Sequence, residues 1–425
     1  MDTLTISKTG KQNKAVISIP SSKSYIHRYL ISALLAEGTS VIENVSFSND
    51  ITATLSCIKE LGASVAVDGN TITIEGARGT KASALLNCGE SASTLRFMIP
   101  VASLLAESIE YRGSETLFKR PLAPYFKIFE QNNMPYDFKI GEYLKLSGSF
   151  NKAEYTIDGS VSSQFVTGLL FTLPLMDFDS TLFIEGTLQS KPYVDITLEV
   201  LGASGIEIEN RNYKSFFIKG NQKYRAGSFF AQGDYSQVAF FLVAGCFIGD
   251  IECANMEPQS LQGDRAIVDI LKRMGAHIEQ TQRGFKVSKS RLKSIGHIDA
   301  TDIPDIVPIL SLACALSEGT TVISGIERLR IKECDRAHAT VDVLSRLGAD
   351  IHEENGTLVI NGKESLTGGR VDSYNDHRMA MTAAVASLVC HDNVTIEQPM
   401  SIGKSYPAFY DDLLLTGAVI TERKD

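Results

Sequence analysis

An internal repeat constrains this chain more than any other feature. Leu34 to Val45 (LLAEGTSVIENV) aligns without a gap on Ala315 to Ile326 (ALSEGTTVISGI), and weaker copies stand at Val243 to Met256 and Ala386 to Pro399. Each copy reads as the end of an Ala/Leu-rich helix, a stop, and then a β-branched alternating run. A second element follows, closing on Leu61-Gly62-Ala63, Leu201-Gly202-Ala203, Met274-Gly275-Ala276 and Leu347-Gly348-Ala349. Glycine there suits a helix end that turns into the left-handed region before a strand begins. Joined together, the two elements make a unit of helix, strand, helix and strands starting near residues 21, 87, 160, 231, 300 and 372. The spacing is about 70 residues, which gives six units. Helices alternating with strands on this scale imply an α/β or α+β architecture, and six units divide more readily into two domains of three than into one.

Composition narrows the function classes. With 44% apolar and 21% charged residues the chain can bury a large core, so disorder is excluded as its main state. A net charge of −9 without a Lys/Arg block argues against a general nucleic-acid binder. The longest apolar runs, Val238 to Ile248 and Met381 to Cys390, are too short to span a bilayer. The first twenty residues show no leader pattern, so a cytoplasmic protein without a membrane partner is expected. The seven cysteines include no C-x-x-C pair and the seven histidines no H-x-x-x-H pair, so no metal is expected. Neither G-x-x-x-x-G-K-[ST] nor a strand-following G-x-G-x-x-G occurs, which weakens nucleotide-dependent phosphoryl transfer and hydride transfer alike.

The clusters that open the six units carry the chemistry. In order they are PSSKSYIHR, NCGESASTLR, DGSVSSQF, QGDYSQ, ATDIPD and SYNDHR. Ser, Asn and Asp are ordinary N-cap residues, so taken singly they mean little. Lys23, Arg28, Arg96 and Arg378 are less ordinary, because a helix start is already partly positive and a cation in its first turn is unfavourable. A cation beside free backbone N–H groups makes a site for phosphate or carboxylate. Asp234, Asp302 and Asp305 instead offer carboxylates that can accept protons or bind substrate hydroxyls. Anion-binding and carboxylate-bearing helix starts on one chain point to chemistry on a small, multiply anionic substrate.

In order and spacing, SSKSYIHR, STLR, RPL, DGSVSSQF, SKPYVDIT, GDYS, DIPD, RIKECDR, YNDHRMAM and GKSYPAFY resemble the 5-enolpyruvylshikimate-3-phosphate synthases, from about residue 17 onward. The resemblance implies two domains, each of three βαβαββ units around a pseudo-threefold axis, with the active site in the cleft between them. One domain would be residues 1–20 plus 230–425, on the phosphoenolpyruvate side with the catalytic carboxylates, and the other 21–229, on the shikimate 3-phosphate side. It also implies transfer of the enolpyruvyl group of phosphoenolpyruvate to the 5-hydroxyl of shikimate 3-phosphate, with phosphate released and no metal or organic cofactor. A monomer is expected.

Carried over motif by motif, the resemblance assigns Lys23 to bridging both substrates and Ser24 and Arg28 to the shikimate carboxylate. Ser162, Ser163, Gln164, Ser190 and Tyr193 would hold the shikimate phosphate and ring, with Lys332 a further contact. Gln164, Arg120, Arg336, Arg378 and Lys404 would clamp phosphoenolpyruvate, next to Ala92. Asp305 would bind the shikimate hydroxyls and take the 5-OH proton; Glu333 and Lys404, with His377 nearby, would protonate the methylene carbon. His27, His338 and His352 read as structural. Two alternatives fit the residues less well. The related UDP-N-acetylglucosamine enolpyruvyl transferase begins with Lys-Asn and carries a loop cysteine, whereas this chain has Lys23-Ser24 and no cysteine in YRGSETLFKRPLA. A non-catalytic phosphosugar-binding scaffold is expected to lose Asp305, Glu333 or Lys404, and all three are present.

The stretch ESASTLR departs from the N-x-G-T-x-x-R common in that family, with Glu90 for Asn and Ala92 for Gly. An ionised Glu90 cannot donate a hydrogen bond to phosphate. Ala92 adds a methyl where glycine lets a ligand approach closely. Tolerance of glyphosate, a phosphoenolpyruvate-site inhibitor longer than the substrate, is therefore expected. Ala92→Gly should lower the glyphosate inhibition constant, and an unchanged constant would count against this reading.

Overall fold

The computed structural model describes residues 3–8 and 14–423. The chain divides into two compact units, Met1–Pro20 with Gln232–Asp425, and Ser21–Ala231. Each unit holds three four-stranded sheets, and all six share one plan. A strand pairs in parallel with a second, which pairs antiparallel with a third, which pairs antiparallel with the edge strand. In the 21–231 unit one sheet runs Lys81–Asn87, Ala106–Arg112, Tyr143–Ser147, Tyr136–Lys139. Another runs Glu154–Asp158, Ser180–Glu185, Ser215–Ile218, Ile208–Arg211. The third is completed from far along the chain: Ser228–Phe230 lies parallel to Thr39–Glu43, which continues to Thr71–Glu75 and Ser64–Asp68.

The other unit also borrows strands. Ala15–Ser18 pairs in parallel with Ile251–Ala254, and Thr3–Lys8 sits between Val394–Glu397 and Ala418–Arg423. His297–Asp299, Thr320–Ser324, Thr357–Asn361 and Asp350–Glu354 form its locally closed sheet.

The sheets cover helices that are apolar nearly all round. The helix Tyr235–Ile248 (YSQVAFFLVAGCFI) is buried from Tyr235 through Cys246, and Ser163–Thr172, Val307–Ala315 and His377–Ala386 are almost as enclosed. Such helices show no amphipathic stripe because no face meets water. Each unit carries its own large apolar core. All seven cysteines are free thiols, six of them buried. Among the described residues no helix is long and apolar enough to cross a membrane.

The repeat glycines behave as their spacing suggests at three of four helix ends: Gly62, Gly275 and Gly348 take φ of 105°, 98° and 96°. Gly202 differs. The helix Lys191–Ala203 runs through it, and Gly205, at φ 80°, makes the left-handed turn three residues later. The cations are also placed differently from expectation. Lys23 and Arg378 lie in first turns, but Arg28 and Arg96 lie in the second turns of Lys23–Leu35 and Ala92–Ala102. Helical side chains lean toward the N-terminus, so both still serve the helix start.

Gly168 sets the spacing of the 21–231 core. A Cβ there would lie 2.4 Å from the Tyr125 hydroxyl and 2.8 Å from the Arg96 carbonyl. That hydroxyl donates to the carbonyls of both Arg96 (2.7 Å) and Phe165 (3.1 Å), tying two helices together. Interiors packed to crystal density have no room to absorb the added methyl. Gly168→Ala should cost about 1–3 kcal/mol, read as a lowered urea midpoint with an unchanged slope.

Candidate functional site

In the 21–231 unit the helix starts collect cations and hydroxyls. Lys23 is the first residue of its helix and pairs with Asp50 at 2.6 Å, which offsets its unfavourable place there. Ser24 is half-buried one residue on, and its carbonyl accepts from Arg28 at 2.7 Å. Arg28, only 2% exposed, also donates to Thr197 Oγ1 (2.8 Å) and the Tyr193 carbonyl (2.8 Å). Burial pulls its pKa down to about 10, so it stays charged at neutral pH while bonded to neutral oxygens. Its guanidinium also lies 5.2 Å from the Phe97 ring centre. His27 is held neutral by burial and by Lys23 and Arg28, with Nδ1 2.7 Å from Thr54 Oγ1.

The next two helix starts interlock. Ser91 caps Ala92–Ala102 through Thr94 N, leaving Ala92 buried as its first residue. Ser162 caps Ser163–Thr172 through Gln164 N, and both serines are buried. Gln164 bridges the two helices: Oε1 accepts from Arg96 (2.8 Å) and Nε2 donates to Ser93 Oγ (2.8 Å). Arg96 also donates to the Pro121 carbonyl at 3.0 Å, docking the Arg120-Pro121 segment. Arg120 itself is half-buried at the end of Glu115–Lys119, extended as a residue before proline must be. Ser190 precedes Lys191–Ala203 in a left-handed conformation (φ 52°, ψ 52°), a strained position for a serine, with no cap bond from its side chain and with Tyr193 half-buried in the first turn.

In the other unit one arginine organises the carboxylates. Arg336, 1% exposed, donates to Asp305 Oδ1 (2.9 Å), Glu333 Oε2 (2.6 Å) and Asp376 Oδ2 (2.9 Å). The resemblance makes Arg336 a phosphoenolpyruvate clamp; in this structure its planar fork is committed to three carboxylates. Asp376 caps His377–Ala386 through Arg378 N. The Arg378 side chain grips Ser236 through its carbonyl (2.9 Å) and hydroxyl (2.8 Å), 3.9 Å from Asp305 Oδ2. Lys332 completes the group, 3.0 Å from Asp305.

These contacts set the protonation states. Burial alone would raise the Asp305 pKa, but Lys332, Arg378 and Arg336 overcome it and hold the carboxyl well below the usual range. Burial dominates at Lys332 and brings its ammonium down to about 8, with Arg328 and Arg336 lowering it further against the pull of Asp305. Lys404 is buried and donates to the Asn375 carbonyl, in a turn where Tyr374 and Asn375 both take positive φ. His377 is buried beside Asp376, its Nδ1 3.9 Å from Asp376 Oδ1.

Most of the expected residues thus stand at or beside helix starts, whereas Arg120 follows the end of Glu115–Lys119 and Lys404 closes the turn Pro399–Lys404. Sequence reasoning missed Asp50, Thr197 and Asp376 as partners, and it left Arg96 out of the site although its position had been noted. Of the three partners, only Asp376, inside SYNDHR, carried a local signal.

Buried cations and carboxylates at the starts of repeated α/β helices define a protein that binds a small anion and moves protons on it. A family model described as EPSP synthase (3-phosphoshikimate 1-carboxyvinyltransferase) matches residues 7–413. The 3-phosphoshikimate 1-carboxyvinyltransferase of Clostridium novyi (strain NT) is 45% identical over 421 residues, 96% of each chain. That of Clostridium perfringens (strain 13 / Type A) is 42% identical over 418 residues, 97% of this chain and 98% of the relative. In fold the chain is similar to the EPSP synthase of Acinetobacter baumannii, with a TM-score of 0.82 at 23% identity over 99% of this chain and 100% of that one. The chain belongs to the EPSP synthase family.

Removing Arg336 leaves three carboxylates facing one another. Arg336→Met should cost about 3–5 kcal/mol at pH 7, measured by urea unfolding. Asp305 has a depressed pKa, so its stabilisation is present above the unfolded value of about 3.9 and fades as pH falls toward the folded one. The deficit of the variant should therefore shrink at pH 3, and a deficit independent of pH would contradict the assignment.

Proposed function

We propose that this chain transfers the enolpyruvyl group of phosphoenolpyruvate to the 5-hydroxyl of shikimate 3-phosphate, releasing phosphate, in the pathway to chorismate and aromatic amino acids. The observation that carries the reading is the network in which Arg336 gathers Asp305, Glu333 and Asp376 beside Lys332 and Arg378. It holds an acceptor, a donor and fixed cations together, as the chemistry requires. The 5-hydroxyl oxygen bonds to C2 of phosphoenolpyruvate while a proton goes to C3, giving a tetrahedral intermediate. A proton then leaves C3, the double bond re-forms and the C2–O bond to phosphate breaks.

The 21–231 unit contributes Lys23, Ser24, Arg28, Ser162, Ser163, Gln164, Ser190 and Tyr193 to shikimate 3-phosphate. Lys23, Ala92, Arg120 and Gln164 also meet phosphoenolpyruvate. From the other unit, Arg378 and Lys404 neutralise phosphoenolpyruvate, joined by Arg336 when the substrate displaces part of its carboxylate contacts. Asp305, ionised at neutral pH, accepts the 5-OH proton with Lys332 beside it, and a group with a pKa near 8 exchanges protons efficiently at working pH. Glu333 and Lys404 supply the proton to C3, assisted by His377. Fixed cations aimed at the departing phosphate stabilise charge where it develops.

The test is phosphate release from phosphoenolpyruvate in metal-free buffer. Release is expected with shikimate 3-phosphate and not with UDP-N-acetylglucosamine; release with neither acceptor would overturn the reading. Asp305→Ala should lose turnover by about 10²–10⁴-fold while still binding inorganic phosphate.

A further inference from the structure

Asp264 stands outside every role assigned above. It lies in the single 3-10 turn Gly263–Arg265, is 4% exposed, and its Oδ1 is buried without a hydrogen-bond partner. Among the described residues it forms no ion pair, although cations are close. Their donors point elsewhere: Arg336 to three carboxylates, Lys332 to Asp305, and Arg378 to the neutral oxygens of Ser236, which leave its charge uncancelled. The turn packs against the helix Tyr235–Ile248 and is tied to it by Gln262, whose side chain accepts from Tyr235 N at 3.0 Å. The first turn of that helix carries Gln237, 1% exposed, whose amide oxygen and nitrogen both lack partners. A buried carboxylate with no counter-ion is among the costliest groups a protein can hold, whereas a buried carboxylic acid is not.

We propose that Asp264 is a positioning residue for the transfer reaction: it stays an uncharged carboxylic acid, and so leaves the Arg378 and Lys332 cations enough unspent positive potential to draw in an anionic substrate. The role rests on the function proposed above. The groups that face Asp264 are Asp305 and Asp234, which oppose its ionisation, and Arg378 and Lys332, which favour it. Burial is the largest influence and, together with Asp305 and Asp234, prevails over the two cations and pushes its pKa up to about 8. Ionisation above that point would add a negative charge beside Asp305 and weaken anion binding.

Three measurements on wild type and Asp264→Asn decide it. Infrared spectra of protein labelled with ¹³C at the aspartate carboxyl should show a protonated-acid carbonyl band at pH 7 that is lost with a midpoint near pH 8 and is missing from D264N. Lys332 titrates in the same interval but has no carbonyl. The Tm of D264N relative to wild type should rise between pH 5 and 8, because a carboxyl whose folded pKa is raised loses stability as pH climbs toward it. At pH 9 the KM of D264N for phosphoenolpyruvate should be lower than that of wild type, on the order of tenfold for one buried charge nearby, with kcat following the same pH course in both.

No wild-type carbonyl band at pH 7, or a Tm difference independent of pH, overturns the neutral acid. A band with equal KM values at pH 9 overturns the positioning role. If D264N does not fold, the labelled wild-type spectrum decides by the presence or absence of the band. Absence of turnover by wild type would fail the functional reading, while the spectrum and Tm would still judge the protonation state.

Discussion

The contact between Arg336 and its three carboxylates is the one on which the carboxylate-bearing face of the 232–425 segment depends. Four charged groups are brought together at the edge of a core whose helices exclude water on every side. Either sign alone would be untenable there, since an unpaired buried charge costs several kcal/mol. A guanidinium solves this because its planar fork presents five donors and stays charged, where a lysine offers a single point charge. Asp305, Glu333 and Asp376 come from three separate segments, so one side chain fixes the relative positions of three loops.

The 21–231 unit handles charge the other way. Arg28 is as buried as Arg336, yet its bonds run to a threonine hydroxyl and two carbonyls, which steady the guanidinium without cancelling its charge. One unit therefore spends its central cation on its own carboxylates, and the other holds a cation in reserve. Complementary treatment of this kind suits a pair of substrates that are both anionic but only one of which gives up a hydroxyl proton.

The repeat was legible because it is local: a stop and a β-branched run fall within a dozen residues, and the six sheets follow from it. Gly202 misled because a glycine can sit inside a helix when the turn is made three residues later by Gly205. The exchanged strands could not be read, since nothing in AVIS or SFF identifies a partner some two hundred residues away. In the site, cations at helix starts stood out by violating the helix-dipole rule. Their partners did not, because Asp50 and Thr197 look like ordinary helix residues until tertiary structure aims them. Asp264 was hidden for the same reason, an aspartate in a turn being among the least remarkable of sequence features.

Strand exchange also orders the birth of the molecule on the ribosome. The Ser21–Ala231 unit has all its strands once Phe230 has emerged, and can close while the remainder is still being made. The other unit cannot. Its strand Thr3–Lys8 must wait for Val394–Glu397 and Ala418–Arg423, which are made only after the whole of the 21–231 unit. Pairings of such long sequence separation are slow to form and leave sheet edges open meanwhile. A segment made before the 21–231 unit is thus among the last to find its place, and emergence of Ala418–Arg423 becomes the step that lets this unit finish folding.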